Sequence, residues 1–252
     1  MRKIARLMIA GGLLLAIAAP AMAQTDPSDE ALLTAFDEAR FFAETVTTFT
    51  VRITSKTPDE TREALIRLRF KEIEGEAASR IEFLEPEELA GQVFLNLPGG
   101  TYFVGPDLDF PLRTSATTEV FGDAAVAQTS GIRFREDYTV AERRVVARDD
   151  GTEALEVDLA AVDFSVAFQE ATVVADRVTL RPLSVMLTSG LPFYEVLYEA
   201  YEVHEEGDLY VKTQRIVNQL LLGNETVTEI VDIGSEELPD ALFDPDELGG
   251  AP

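Results

Sequence analysis

Apolar and polar side chains alternate with a period of two along much of this chain, most clearly in residues 66–83. Ile66, Leu68 and Phe70 are separated by Arg67, Arg69 and Lys71. Beyond Glu74-Gly75 the alternation resumes, with Ile81 and Phe83 against Arg80 and Glu82. Successive side chains of a strand face opposite sides of a sheet, so this is strand periodicity. The charged face is expected to meet water. The apolar face needs a cover, and the remainder of the chain has to supply it.

Similar runs predict strands at 46–55, 62–73, 77–85, 91–97, 100–105, 111–117, 153–160, 170–178, 181–188, 193–204, 209–219 and 225–233. Turn signals separate them, among them Gly99-Gly100, Asp150-Gly151, Glu206-Gly207-Asp208 and Gly223-Asn224. The one long helical pattern is at 28–44, with Asp26 as its cap and Pro27 in its first turn. Leu32, Phe36, Ala39 and Ala43 recur on one face of it. Shorter helical signals are "GDAAVAQTSG", "REDYTVAERRV", "EPEELAG" and "LPDALFDPDEL". Many antiparallel strands with few helices predict one large, strongly curved sheet or an open barrel. A curved sheet lidded by a few short helices can leave a cavity, and pattern alone leaves a well-filled core equally open.

The front of the chain changes the picture of where it works. "MRKIARLMIAGGLLLAIAAPAMA" has a basic start, a short apolar stretch and Ala21-Met22-Ala23 before Gln24, the plan of a cleaved secretory signal. The apolar run is short of the roughly 20 residues a membrane span needs. Residues 1–23 are therefore read as a cleaved signal peptide, and 24–252 as a single soluble domain exported to the periplasm. The chain has no Cys, hence no lipidated Cys, no disulfide and no thiolate metal site. Removing Arg2, Lys3 and Arg6 leaves 18 basic against 46 acidic residues, a net charge of −28. So acidic a chain is repelled by nucleic acid and by anionic surfaces.

Catalytic signals are weak. His204 is the only histidine, and it lies among acids at a strand end. No Gly-x-Ser-x-Gly elbow accompanies any serine. One His with no Cys cannot build a zinc site. The acidic stretches "GPDLDF", "ARDDGTE" and "DPDELGG" lack calcium-loop spacing and read as turns. No glycine loop of the phosphate-cradling kind is present. No catalytic residue, metal or cofactor is assigned.

Several short motifs, in order, carry a resemblance. "SRIEFLEPEELAGQVFLNL" followed by "TYFVGPDLDFPLR" holds Arg80, Pro86, Gly91 and Tyr102-Phe103. "VFGDAAVAQTSGIRFREDYTV" holds Gly122-Asp123-Ala124 and Asp137-Tyr138. "VTLRPLSVMLTSG" carries Arg181-Pro182-Leu183 and Gly190, and "LPDALFDPDEL" closes the chain. Over roughly residues 30 to 247 the chain resembles the outer-membrane lipoprotein-sorting family, the LolA-like periplasmic carriers.

The resemblance implies a mainly β fold: an incomplete, strongly curved antiparallel β-barrel with an N-terminal helix and short lid helices over an apolar cavity. It implies binding of acyl chains of lipoproteins or other lipids, and their passage between envelope membranes without catalysis. The cargo face is then expected at Ile66, Leu68, Phe70, Ile81, Phe83, Val93, Leu95 and Tyr102. The lid is expected at 120–138, with Val120, Phe121, Gly122, Val126, Ile132, Phe134 and Tyr138. Its small residues suggest loose packing and fast hydrogen exchange in the empty protein. In the family an arginine on an early strand hydrogen-bonds to the lid. Arg67 and Arg69 stand on an early strand but on the face opposite Leu68 and Phe70, so neither is given that role. The expected partners are acyl chains and an envelope membrane protein as donor or acceptor, with no nucleic acid, and the chain is read as a monomer. Alternatives are a lipid-sensing module of the same fold that docks on an envelope membrane protein, and a hydrolase using carboxylates near His204. Mass spectrometry of the mature protein is expected to find its N-terminus at Gln24; an intact Met1 in the envelope fraction would contradict cleavage.

Overall fold

The computed structural model describes residues 27–40, 47–204, 207 and 209–248. Helix α1 (Asp29–Glu38) begins after Ser28, whose hydroxyl accepts a hydrogen bond from the Ala31 amide at 3.2 Å. Ser28 is thus its N-cap. Asp26, the expected cap, lies outside the described residues, as do Ala43 and the signal-like leader. Leu32, Leu33 and Phe36 form the buried face of α1.

The strands are β1 (Thr48–Lys56), β2 (Thr61–Ile73), β3 (Glu76–Glu85), β4 (Val93–Leu97), β5 (Gly100–Val104), β6 (Leu112–Thr114), β7 (Glu119–Phe121) and β8 (Ala124–Ala125). After helices α2 (Val126–Ser130) and α3 (Phe134–Asp137) come β9 (Tyr138–Ala147), β10 (Glu153–Ala161), β11 (Glu170–Asp176), β12 (Pro182–Thr188), β13 (Pro192–Val203), β14 (Leu209–Asn218) and β15 (Glu225–Gly234). A 3-10 turn at Asp240–Phe243 and the short helix α4 (Pro245–Leu248) follow.

Thirteen strands form one antiparallel sheet in the order β6-β5-β4-β3-β2-β1-β15-β14-β13-β12-β11-β10-β9, and β7 pairs only with β8. The edge strands β6 and β9 do not meet among the described residues, so the barrel is incomplete, as expected. Strand β9 corrects the helical reading of "REDYTVAERRV": only Phe134–Asp137 is helical. As an edge strand exposed on both faces from Ala141 to Val145, with the charges Glu142, Arg143 and Arg144, it lacks the alternation that marks its neighbours.

Register explains the periodic run. Phe49 of β1 stands opposite Leu68, Leu68 opposite Ile81, Ile81 opposite Phe94, and Phe94 opposite Phe103. A second row joins Val51, Ile66 and Phe83. Cross-strand neighbours of this kind stabilise one face of a sheet. They belong to one of two large buried clusters, with Val120, Phe121 and Val126 packed onto them. The other cluster lies over β10 to β14 and includes Phe36, Ile132, Phe134 and Tyr138. Segment 119–138 thus spans both halves of the inner face.

The opposite face does not simply meet water. Arg69 and Arg80 are buried beneath the C-terminal segment. The Arg69 guanidinium donates to Glu82 at 2.7 Å and to Glu236 at 2.8 Å, and Arg80 donates to the Leu242 carbonyl at 3.0 Å. Lys71 donates to the Leu238 carbonyl at 2.6 Å and pairs with Asp240. Leu238 and Phe243 pack on Ala78. The returning chain, not solvent, therefore covers the part of this face that holds Arg69, Lys71 and Arg80.

The crossing segment is also packed tightly, contrary to the expectation of a loose one. Val126, Phe134, Ala124 and Ala125 are fully buried. Its small residues permit close approach. Gly122 has φ +57, and a Cβ there would stand 2.5 Å from Ser55 Oγ and 2.6 Å from Thr226 Oγ1. Gly122→Ala is therefore expected to destabilise by more than about 1 kcal/mol. Phe83→Ala, in the filled cluster against Phe121, is expected to cost about 3–5 kcal/mol. Urea melts measure both; wild-type stability in either variant would contradict this packing.

Candidate functional site

The two core clusters do not fuse completely. At their junction lies a cavity of about 100 Å³, between the crossing segment and the middle strands of the sheet. Phe49, Val51, Leu68, Phe70 and Ile230 form its apolar wall, and Tyr198 and Val211 face them. Polar lining comes from Arg40, Gln128, Thr129, Lys212, Gln214 and Thr228.

Arg40 closes one side. It follows α1 and is carried over the sheet by the packing of Leu32, Leu33 and Phe36. Its guanidinium donates to the Ile132 carbonyl of the crossing segment and to Tyr198 Oη at 3.0 Å. It also lies 4.5 Å from the Phe134 ring centroid, within cation–π range. Asp37, one turn earlier, is 3.7 Å from Arg40 and accepts the amides of Phe134 at 2.8 Å and Arg135 at 2.9 Å. Burial pushes the Asp37 carboxyl above its ordinary range, against the pull of Arg40 and those amides. Burial likewise works to lower the Arg40 guanidinium, but Tyr198 and Asp37 hold it above its ordinary value. The C-terminal part of the crossing segment is therefore tied to α1 through two charged side chains.

The other end is tied differently. Asp123 is buried; its amide donates to Thr226 Oγ1 at 2.8 Å, and its carboxylate accepts from Asn218 Nδ2 at 2.6 Å. Gly122 permits this approach. The crossing segment is therefore anchored to β14 and β15 at one end and to α1 at the other.

Of the residues expected to line the cavity, Leu68 and Phe70 do so. Ile66, Ile81 and Phe83 share their face but lie in filled core. Val93, Leu95 and Tyr102 are on the opposite face: Val93 pairs with Glu82, and Leu95 with Arg80 and Tyr102. They form a separate cluster with Val104. Of the crossing segment, Gln128, Thr129 and Gly131 reach the cavity, whereas Val120, Phe121, Val126, Ile132, Phe134 and Tyr138 bind the segment to the two core clusters. Phe49 and Val51 were readable from the alternation of "TFTVRITSK" but were not singled out. Arg40 gave no local signal, because its place depends on how α1 docks.

No protein-family model matches the chain, and no curated protein matches it by sequence. Solved structures match it by shape. A LolA superfamily protein from Nitrosomonas europaea is similar over 88% of this chain and 99% of its own, with a TM-score of 0.77 and 22% identity. A Vibrio parahaemolyticus structure, named as an outer membrane lipoprotein-sorting protein domain, covers 86% of this chain and 95% of its own. Its TM-score is 0.71 at 19% identity. A DUF1329 family protein from Desulfovibrio piger covers 87% and 97%, with a TM-score of 0.70 and 14% identity. The chain has the LolA-like fold, and at that level the resemblance seen in its motifs holds.

Removing either tie to α1 is expected to loosen the crossing segment. Asp37→Ala strands the partly buried Phe134 amide, which costs about 1–3 kcal/mol, and frees the exposed Arg135 amide to bond water at less cost. Arg40→Met keeps the apolar stem and removes the donors. Both variants are expected to unfold at lower urea, Asp37→Ala by more; unchanged midpoints would show that the ties carry no stability.

Proposed function

We propose that the protein is a periplasmic carrier that binds acyl chains of lipoproteins or other lipids and moves them between envelope membranes without making or breaking bonds. The observation that carries this reading is the cavity on the concave face, walled by aromatic and aliphatic side chains and covered by a segment with non-covalent ties. The leader pattern supports export, and no helix among the described residues is long and apolar enough to cross a membrane. The name of the Vibrio parahaemolyticus neighbour supports a role in lipoprotein sorting.

Volume dictates the mechanism. A cavity of about 150 Å³ accommodates benzene, so one of about 100 Å³ cannot take a long acyl chain. In this reading the crossing segment lifts to widen the cavity and admit cargo. Burial gives about 0.8 kcal/mol per CH₂, so a long chain contributes on the order of 10 kcal/mol. Each charge-assisted hydrogen bond given up costs about 1.5–3 kcal/mol. Releasing the four Arg40 and Asp37 hydrogen bonds described above costs about 6–12 kcal/mol on that scale, comparable with the cargo's own binding energy. The cargo must also re-cover the apolar side chains the segment gives up. The Asp123 anchor, at the other end, can stay in place as a hinge.

A fluorescent acyl probe is expected to bind at one saturable site. Leu68→Glu should weaken it by at least tenfold, because a carboxylate in the cavity must be desolvated or protonated. Phe70→Ala, beside existing space, should weaken it while costing less stability than a filled-core Phe. Val178→Glu, on an exposed turn, should change nothing. Folded Leu68→Glu and Phe70→Ala proteins with wild-type affinity would contradict an acyl site here.

A further inference from the structure

We propose that the cavity is built for an amphiphile with an anionic head, an oxyanion such as a carboxylate or phosphate, and not for a neutral acyl chain alone. The inference rests on reading the cavity as an acyl site.

The charge of the lining inverts that of the chain. The protein has 46 acidic and 21 basic residues, yet among the described residues that line the cavity none is acidic, while Arg40 and Lys212 are basic. Such a site attracts an anion and disfavours a cation.

The polar groups at the site also lack acceptors. Gln128 is 6% exposed, and its Oε1 accepts the Ala125 amide at 2.8 Å. That amide can only donate, so the other atom of the Gln128 side chain is fixed as the NH₂ group. This Nε2 is buried with no hydrogen-bond partner, and so is Thr129 Oγ1 beside it. A buried donor without an acceptor is costly, and acceptors are what an oxyanion brings. Lys212 pairs only loosely with the half-exposed Glu202, at 3.7 Å. Gln128 and Thr129 of α2 and Lys212 of β14 thus line the cavity together with Phe49, Leu68 and Phe70, the two chemistries of a single amphiphile.

Three probes of equal chain length test this at neutral pH: a pyrene-labelled fatty acid, its methyl ester and the corresponding primary amine. The acid is expected to bind at least about tenfold tighter than the ester, and the amine more weakly than either. Lys212→Gln should narrow the acid-to-ester ratio. Gln128→Glu keeps an acceptor for the Ala125 amide but sets a carboxylate against the head, and should reverse the preference. A lysophosphatidate arm, compared with its zwitterionic choline ester, asks the same question of a phosphate; the tighter of the two anions names the head. Equal binding of acid and ester would overturn the proposal while leaving the acyl site intact. An acid preference that survives both substitutions would overturn the assignment of these donors. Failure of every probe to bind would instead remove the carrier reading itself.

Discussion

Everything in this molecule depends on covering the concave face of an open sheet. Thirteen strands present rows such as Phe49–Leu68–Ile81–Phe94–Phe103 to one side. A closed barrel would bury such rows against one another. This sheet, with unpaired edges among its described strands, buries them against α1 and one crossing segment. Tying one segment across two clusters leaves a seam, and the cavity lies in that seam. The cavity follows from the way the sheet is covered.

The cover is held by means suited to release at one end. At the Asp123 end, Gly122 allows contact too close for any other residue, and the polar groups are buried. At the other end, Asp37 of α1 and Arg40 just after it hold the backbone of 132–135. Arg40 joins the cover, the Tyr198 hydroxyl of the sheet and the cavity lining in a single side chain. An arginine tying lid to sheet is what the family resemblance led one to seek on an early strand. Here Arg67 and Arg69 of β2 face the other way, where Arg69 helps hold the C-terminal segment. Arg62 of the same strand lies on the inner face, 5.3 Å from the Phe121 ring centroid of the cover.

Strand content was legible wherever one face was apolar and the other charged, as in Leu68 and Phe70 of β2. The phase was lost where both faces are buried. "QVFLNL" is apolar at Val93, Phe94 and Leu95 alike, because the cover lies over one face and other apolar side chains over the other. Choosing Val93 and Leu95 selected the wrong face by one residue, which is all that separates the faces of a strand. β9 was illegible for the opposite reason: at the edge it has too little buried surface to impose a pattern. Arg40, Gln128 and Asp123 act through partners distant in sequence, which no local pattern encodes. The small residues of 122–127 were correctly noticed but misread as looseness; here they serve close packing.

Hydrogen exchange of segment 126–137, with and without a bound acyl chain, tests most directly whether cargo displaces the cover. The account holds that the empty protein is closed and that cargo breaks the ties to α1. Exchange at the Phe134 and Arg135 amides, which Asp37 accepts in the closed state, should be slow in the empty protein and faster on loading, while Asp123 stays protected. Amides at 134 and 135 that remain equally or better protected with the chain bound would contradict it.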